Sequence, residues 1–208
     1  PDGLAAALPV AAFEGREAAL LARMIARGVN SPRTSSVGRL FDAVASLTGL
    51  RQSVRYEGQA AMELEFAARG GAAAIAGEYL VDVRSLDPVQ GPAAAGGVSE
   101  PWRAGLEVNW RPLVDGLLRD LQVGEGVADV SSRFHRWLAE CIVEVAKRVG
   151  HRRVALSGGC FPNRLLTELA VCRLRDEGFR PYWHQRIPPN DGGIAVGQVA
   201  AVLGGWAR

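Results

Sequence analysis

Lysine is nearly absent from this 208-residue chain. Of its 24 lysines and arginines only Lys147 is a lysine, and alanine, glycine and arginine are abundant, a mark of genomic base composition rather than of chemistry. Nor is there an excess of one charge. With 24 basic against 22 acidic side chains the formal net charge is +2, without the basic surplus a dedicated nucleic-acid binder carries, so no nucleic-acid partner is expected. No run reaches the ~18 consecutive apolar residues that a membrane helix needs. The opening PDGLAAALPVAAFEG also lacks the basic-then-apolar order of a secretory leader. No membrane is expected as a partner, and the cytoplasm is the expected compartment. The three cysteines, Cys141, Cys160 and Cys172, form no CxxC pair and are too few for a disulfide scaffold. The three histidines, His135, His151 and His184, include no pair at helical i, i+4 spacing. What remains is an ordinary globular composition, 48% apolar and 22% charged, long enough for one large domain or two small ones. The chain opens on proline rather than methionine and is read as a piece of a longer protein.

Residues 1–14 read as an irregular lead-in. Helical periodicity follows over 14–28, where Ala18, Leu21 and Ile25 share a face and Gly28 supplies a stop. A second helix is expected over 34–48, capped by Ser35 or Ser36 and ended by Gly49, and a third over 58–69. Together 15–77 form a helical segment. Over 78–125 the text changes to strand character in EYLVDV (78–83), a surface loop in GPAAAGGVSEP (91–101) and a short strand in LEVNW (106–110). A helix opened by Pro112 follows. The longest helical signal covers 126–149. Beyond it, strand 152–156, the turn SGG, helix 161–178, strand 180–183 and helix 194–204 alternate, which argues an α/β lobe over 126–208 with partly parallel strands.

Two turns carry the chemistry. In SGG (157–159) the glycines bring backbone N–H groups within reach of an anion, and the helix start behind them adds favourable partial charge of about half an elementary unit. The competing reading is tight strand–helix packing; the turn is neither a P-loop nor a GxGxxG fingerprint. In NDGG (190–193) Asp191 precedes a helix, either as its N-cap or as a hard ligand for a divalent metal that also touches a phosphate. One carboxylate does not hold a metal alone. His184 lies seven residues earlier and is a possible partner, whereas His135 and His151 read as structural or solvated. Asp42 lies on a helix rich in small residues, where an Asp is usually just solvated. Gly58, in YEGQAA, opens the third helix at a place for close backbone approach. The five tryptophans read mostly as packing groups.

Taken in order, SPRTSSVGRLFDAVASLTGL, YEGQAAMELE, LSGGCFPNRLLTELA and IPPNDGGIAVGQ resemble the C-terminal domain of the HypF carbamoyltransferases over residues 15–203. These enzymes act in maturation of nickel–iron hydrogenases, and the domain type recurs in threonylcarbamoyl- and O-carbamoyltransferases. The resemblance implies an actin-like or sugar-kinase type α/β fold of RNase H-like lobes, this chain being largely the C-terminal lobe with helical inserts. It implies transfer of a carbamoyl group from carbamoyl adenylate, made from carbamoyl phosphate and ATP in an upstream adenylate-forming domain, to the C-terminal cysteine of HypE. Carried over residue by residue, Asp42 would meet the ribose, Gly58 and Asn163 the nucleoside, and Gly158 and Gly159 the phosphates. Asp191 would ligate a divalent metal (Mg, Fe or Zn). The AMP leaving group departs with developing negative charge, which a cation and helix N-termini stabilise. The attacking thiolate belongs to the partner, so Cys160 is not expected to be catalytic, and Pro162 fits a first helical turn.

The family's metal-binding histidines lie upstream of everything present here, so they would come from outside this chain. The chain alone is accordingly expected to bind nucleotide weakly, to hold no stoichiometric metal and to catalyse no transfer, and its uncovered lobe face to self-associate. A non-catalytic docking module is the competing class, followed by a kinase, or another carbamoyl- or threonylcarbamoyltransferase, of the same fold.

Overall fold

The computed structural model describes residues 9–68, 77–86 and 105–205. A 3-10 turn at Pro9–Ala12 leads into α1 (Gly15–Arg27), followed by α2 (Val37–Leu47) and α3 (Gln59–Ala68). Strands β1 (Val83–Ser85) and β2 (Leu106–Val108) form an antiparallel pair with Val83 opposite Val108. Helices α4 (Arg111–Gln122) and α5 (Val127–Val149) then precede β3 (Arg153–Leu156), α6 (Arg164–Asp176), β4 (Arg180–Trp183), a 3-10 turn at Asp191–Gly193 and α7 (Ile194–Leu203). β3 and β4 pair in parallel, Arg153 opposite Arg180 through Leu156 opposite Trp183. A parallel pair needs a crossover, and α6 provides it. The lobe is thus mixed α/β.

α5 is the central post. Its buried face, Val130, Phe134, Trp137, Leu138 and Cys141, packs with Phe41 and Val44 of α2, Leu64 of α3, Leu113 and Leu117 of α4 and Leu166 of α6 in one apolar cluster. The T-shaped contact of Phe41 with Phe134, ring centres 4.9 Å apart, sits at its middle and adds ~1 kcal/mol to area burial. A second cluster, Ala139, Val143, Leu156, Ala170 and Leu174, holds β3 and α6 against the other end of α5.

Where side chains differ from expectation the reasons are local. EYLVDV forms a strand only from Val83 onward. Its upstream part is tied instead to helix side chains: Trp137 Nε1–H donates to the Leu80 carbonyl at 3.0 Å and the Tyr79 hydroxyl donates to Asp120 at 2.6 Å. α2 is preceded by Ser36, but no side chain caps it; Ser36 N–H donates to Thr34 Oγ1. α6 begins at Arg164 rather than 161, because Phe161 N–H and Asn163 N–H close tight turns onto Gly158 and Cys160. Pro162 therefore lies before the helix. Gly28 and Gly49 take left-handed φ values, as their positions after α1 and α2 require. The 91–101 segment, Trp102 and Trp206 lie outside the described residues. Trp137 is buried and stacks on Phe134, while Trp110 is exposed.

α1 and α7 stand apart: neither has a buried residue. α7 is apolar nearly all round, with Ile194, Val196, Val199, Val202 and Leu203 exposed. No helix among the described residues is long and apolar enough to cross a membrane.

Candidate functional site

The parallel pair sets the site. Adjacent parallel strands present their carboxyl ends at the same edge, where backbone turns into helices can face a ligand. β3 ends at Leu156 and passes directly into Ser157, Gly158 and Gly159; β4 ends at Trp183 and leads through His184 to IPPNDGG. Two hydrogen bonds join these turns. Gly158 N–H donates to the Pro189 carbonyl at 2.8 Å, and Ser157 Oγ lies 3.0 Å from His184 Nε2. The two glycine turns singled out in the sequence are therefore one surface.

The glycines in it have different reasons. Gly158 has φ +113°, a conformation that side chains other than glycine rarely adopt. Gly159 has no such constraint, and a Cβ there would meet nothing within 4 Å. Tight packing therefore does not account for Gly159. Its N–H and that of Cys160 take no acceptor among the described residues, so the turn offers two free donors beside an open space. Gly193 is required by close approach: a Cβ would lie 2.6 Å from the Pro188 carbonyl oxygen.

In NDGG the cap is Asn190, not Asp191. Asn190 Oδ1 accepts from Gly192 N–H at 3.2 Å, and Asp191 begins the 3-10 turn with an exposed side chain. Its carboxylate is thus not spent on the helix start. It does not make a metal site by itself: no group of three or more His, Cys, Asp or Glu gathers among the described residues, and His184 is engaged with Ser157. The residues described do not fit a divalent ion unaided.

Asn163 is placed differently from a simple nucleoside contact. It is buried, caps α6 by accepting Leu166 N–H on Oδ1 at 2.9 Å, and turns Nδ2 to His135 Nε2 at 2.9 Å. His135 is wholly buried rather than solvated, with Nδ1 2.8 Å from the Ser131 carbonyl. Burial pushes its pKa below the ordinary imidazole value, against opposing pulls from the Ser131 carbonyl and Glu65. The structural half of the sequence reading of His135 therefore holds; its partners could not be read, because an isolated histidine inside a helix carries no motif.

Asp42, half-buried on α2, forms an ion pair with Arg39 at 2.9 Å. It neighbours Phe41, whose ring stands edge-on to His135 at 5.5 Å. Gly58, at φ +78°, precedes α3. The loop before it is anchored by Arg51, which donates twice to Glu63, and by Arg55 N–H, which donates to Gln59. Among the described residues neither is hydrogen-bonded to the glycine turns. Cys160 is half-buried and burial raises its thiol pKa, which disfavours the thiolate. Two clefts, of about 400 and 360 Å³, are not lined by the turn residues: one lies beside Tyr79 and Trp137 and one beside Thr167 and Trp183.

The parallel strand pair thus ends in linked, glycine-built turns at one edge of a mixed α/β lobe. The family described as "Carbamoyltransferase, Kae1-like Domain, second subdomain" matches residues 3–198. The chain belongs to this carbamoyltransferase family and corresponds to the C-terminal region of HypF. It is 34% identical over 173 residues to carbamoyltransferase HypF of Synechocystis sp., covering 83% of this chain and 20% of that protein. It is 36% identical over 195 residues to carbamoyltransferase HypF2 of Cupriavidus necator, covering 89% and 24%. The crystal structure of full-length HypF in its phosphate- and nucleotide-bound form superposes with TM-score 0.75 at 30% identity, over 93% of this chain and 24% of that one. The chain thus spans about a fifth to a quarter of the length of these relatives.

Proposed function

We propose that this chain is the C-terminal lobe of an actin-like carbamoyl-transfer domain, carrying one wall of a nucleotide cleft. The observation behind this reading is the hydrogen bond from Gly158 N–H to the Pro189 carbonyl, which merges two turns into one cradle with the free N–H groups of Gly159 and Cys160. In the reaction proposed, carbamoyl adenylate formed upstream from carbamoyl phosphate and ATP is attacked by the C-terminal cysteine thiolate of HypE. The carbamoyl carbon gains a C–S bond and loses its bond to the phosphate oxygen of AMP, which leaves as an anion. The chain's contribution is electrostatic: backbone donors and the α6 N-terminus meet the charge that develops on the departing phosphate. Asp42 and Gly58 line the nucleoside side. Asp191 would supply one ligand to a divalent metal, the remaining ligands being histidines outside this chain. The cytoplasm is the compartment proposed.

The competing reading, a docking module, draws on the bare apolar faces of α1 and α7. Replacing Asp191 or Gly159 by Ala in the complete protein separates the two. Loss of carbamoyl transfer with an unchanged melting curve supports the transferase reading. Unchanged transfer in both variants overturns it. The chain alone is expected to bind ATP weakly and to hold no stoichiometric metal, and calorimetry showing micromolar binding with one metal per chain contradicts that.

A further inference from the structure

His135 lies beneath the glycine turn, yet nothing in the proposed chemistry uses it. Its surroundings admit one arrangement of protons. The Asn163 amide has one acceptor and two donors. Oδ1 takes Leu166 N–H at 2.9 Å, so Nδ2 faces His135 Nε2 at 2.9 Å, and that ring nitrogen must accept. The imidazole proton then sits on Nδ1, 2.8 Å from the Ser131 carbonyl, which only accepts. Ser131 Oγ donates to the Leu64 carbonyl of α3 at 2.6 Å, so the same turn of α5 is pinned from the other side. Phe41 and Phe134 stand edge-on to the ring, with centres 5.5 and 5.7 Å away. Glu65 of α3, itself buried, is the charged group that bears on the ring.

We propose that His135 is a positioning residue for the anion-binding turn: its Nδ1–H tautomer fixes the orientation of the Asn163 amide, and that amide holds the start of α6 behind Gly158 and Gly159. This rests on the reading of that turn as the phosphate site. An acceptor at Nε2 is what keeps Asn163 Oδ1 on Leu166 N–H. A donor there would face the two Nδ2 hydrogens, the amide would reverse, and the cap would be lost. The Asn163 N–H already closes a turn onto the Cys160 carbonyl, and Phe161 N–H one onto Gly158. The cap and the glycine turn are therefore one continuous piece of backbone, and movement of one displaces the other.

Two measurements test this. In the chain labelled with ¹⁵N-histidine, NMR is expected to show His135 as the neutral Nδ1–H tautomer at pH 7; an Nε2–H tautomer or an imidazolium overturns the proposal without any substitution. In the complete protein, ADP binding is measured for the wild type, H135L and H135Q. H135L, which removes the acceptor, is expected to weaken ADP by about fivefold, the effect of losing one cap, and H135Q, whose amide oxygen can accept from Asn163, to restore most of it. Wild-type affinity in a folded H135L sinks the role of His135 and leaves the site reading standing. Absence of ADP binding by the wild type sinks the site reading itself, while the NMR result still decides the tautomer. If H135L does not fold, affinity in H135Q as low as in N163A overturns the proposal, and affinity near wild type supports it.

Discussion

Gly158 N–H and the Pro189 carbonyl, 31 residues apart in the chain, meet at 2.8 Å and lock the turn after β3 to the loop after β4. Ser157 and His184 repeat the connection one residue earlier on the first turn and five residues earlier on the second. Everything proposed for the site depends on that junction being rigid.

The two glycines of SGG are expected to separate stability from binding. Gly158→Ala forces a side chain into φ +113° and is expected to cost ~1–3 kcal/mol by denaturant unfolding. Gly159→Ala adds a methyl to open space, and its stability change is expected within ~0.5 kcal/mol of zero. Its ADP affinity in the complete protein is expected to fall, because the methyl fills open space beside the turn that the proposed phosphate would need. Equal affinities for G159A and wild type count against the cradle.

Gly193→Ala places its methyl 2.6 Å from the backbone oxygen of Pro188. Backbone cannot rotate aside as a side chain does, so the loop must shift. Differential scanning calorimetry is expected to show a loss of about 1–3 kcal/mol, and the Gly158–Pro189 bond is expected to weaken, read as faster amide exchange at Gly158.

Arg133 on α5 is 8% exposed and ion-paired with Asp120 and Glu125, while the Tyr79 hydroxyl also donates to Asp120. Asp120→Ala removes the shared acceptor of a buried cation and a buried phenol. Removing one partner of a buried pair costs ~3–5 kcal/mol; the expected loss here is about 3 kcal/mol, since Glu125 still pairs with Arg133. Chemical denaturation measures it, and a loss under about 1 kcal/mol would show the network to be solvated.

Stability is expected to fall on mild acidification through His135. Its folded pKa lies below the ordinary value of about 6.5 because burial disfavours the imidazolium. Below the unfolded pKa the unfolded chain binds a proton that the folded chain resists, so the stability present above about pH 6.5 is lost as pH falls through the folded pKa. The pH dependence of urea unfolding is expected to be shallower in His135→Gln than in wild type across that window. Identical slopes would mean that His135 does not contribute.

The bare face of α7 is expected to make the isolated chain self-associate, as large exposed apolar patches do. Sedimentation velocity is expected to show concentration-dependent oligomers that Val199→Glu together with Val202→Glu disperses, both valines being exposed.

Much of this was written locally. Helical periodicity over 126–149 announced α5, Pro112 marked the start of α4, and strand–turn–helix alternation after α5 announced partly parallel strands, because periodicity and turn chemistry act over a few residues. SGG, NDGG and their order carried the family resemblance for the same reason. The tertiary structure alone decided that the two turns touch, that Asn190 rather than Asp191 serves as the cap, that Asn163 faces inward, and that His135 is the buried hub between α2, α3 and α6. Those outcomes turn on which distant donor finds which acceptor once α5 is packed, and on the direction in which a buried amide or ring can point. No short stretch of sequence encodes either.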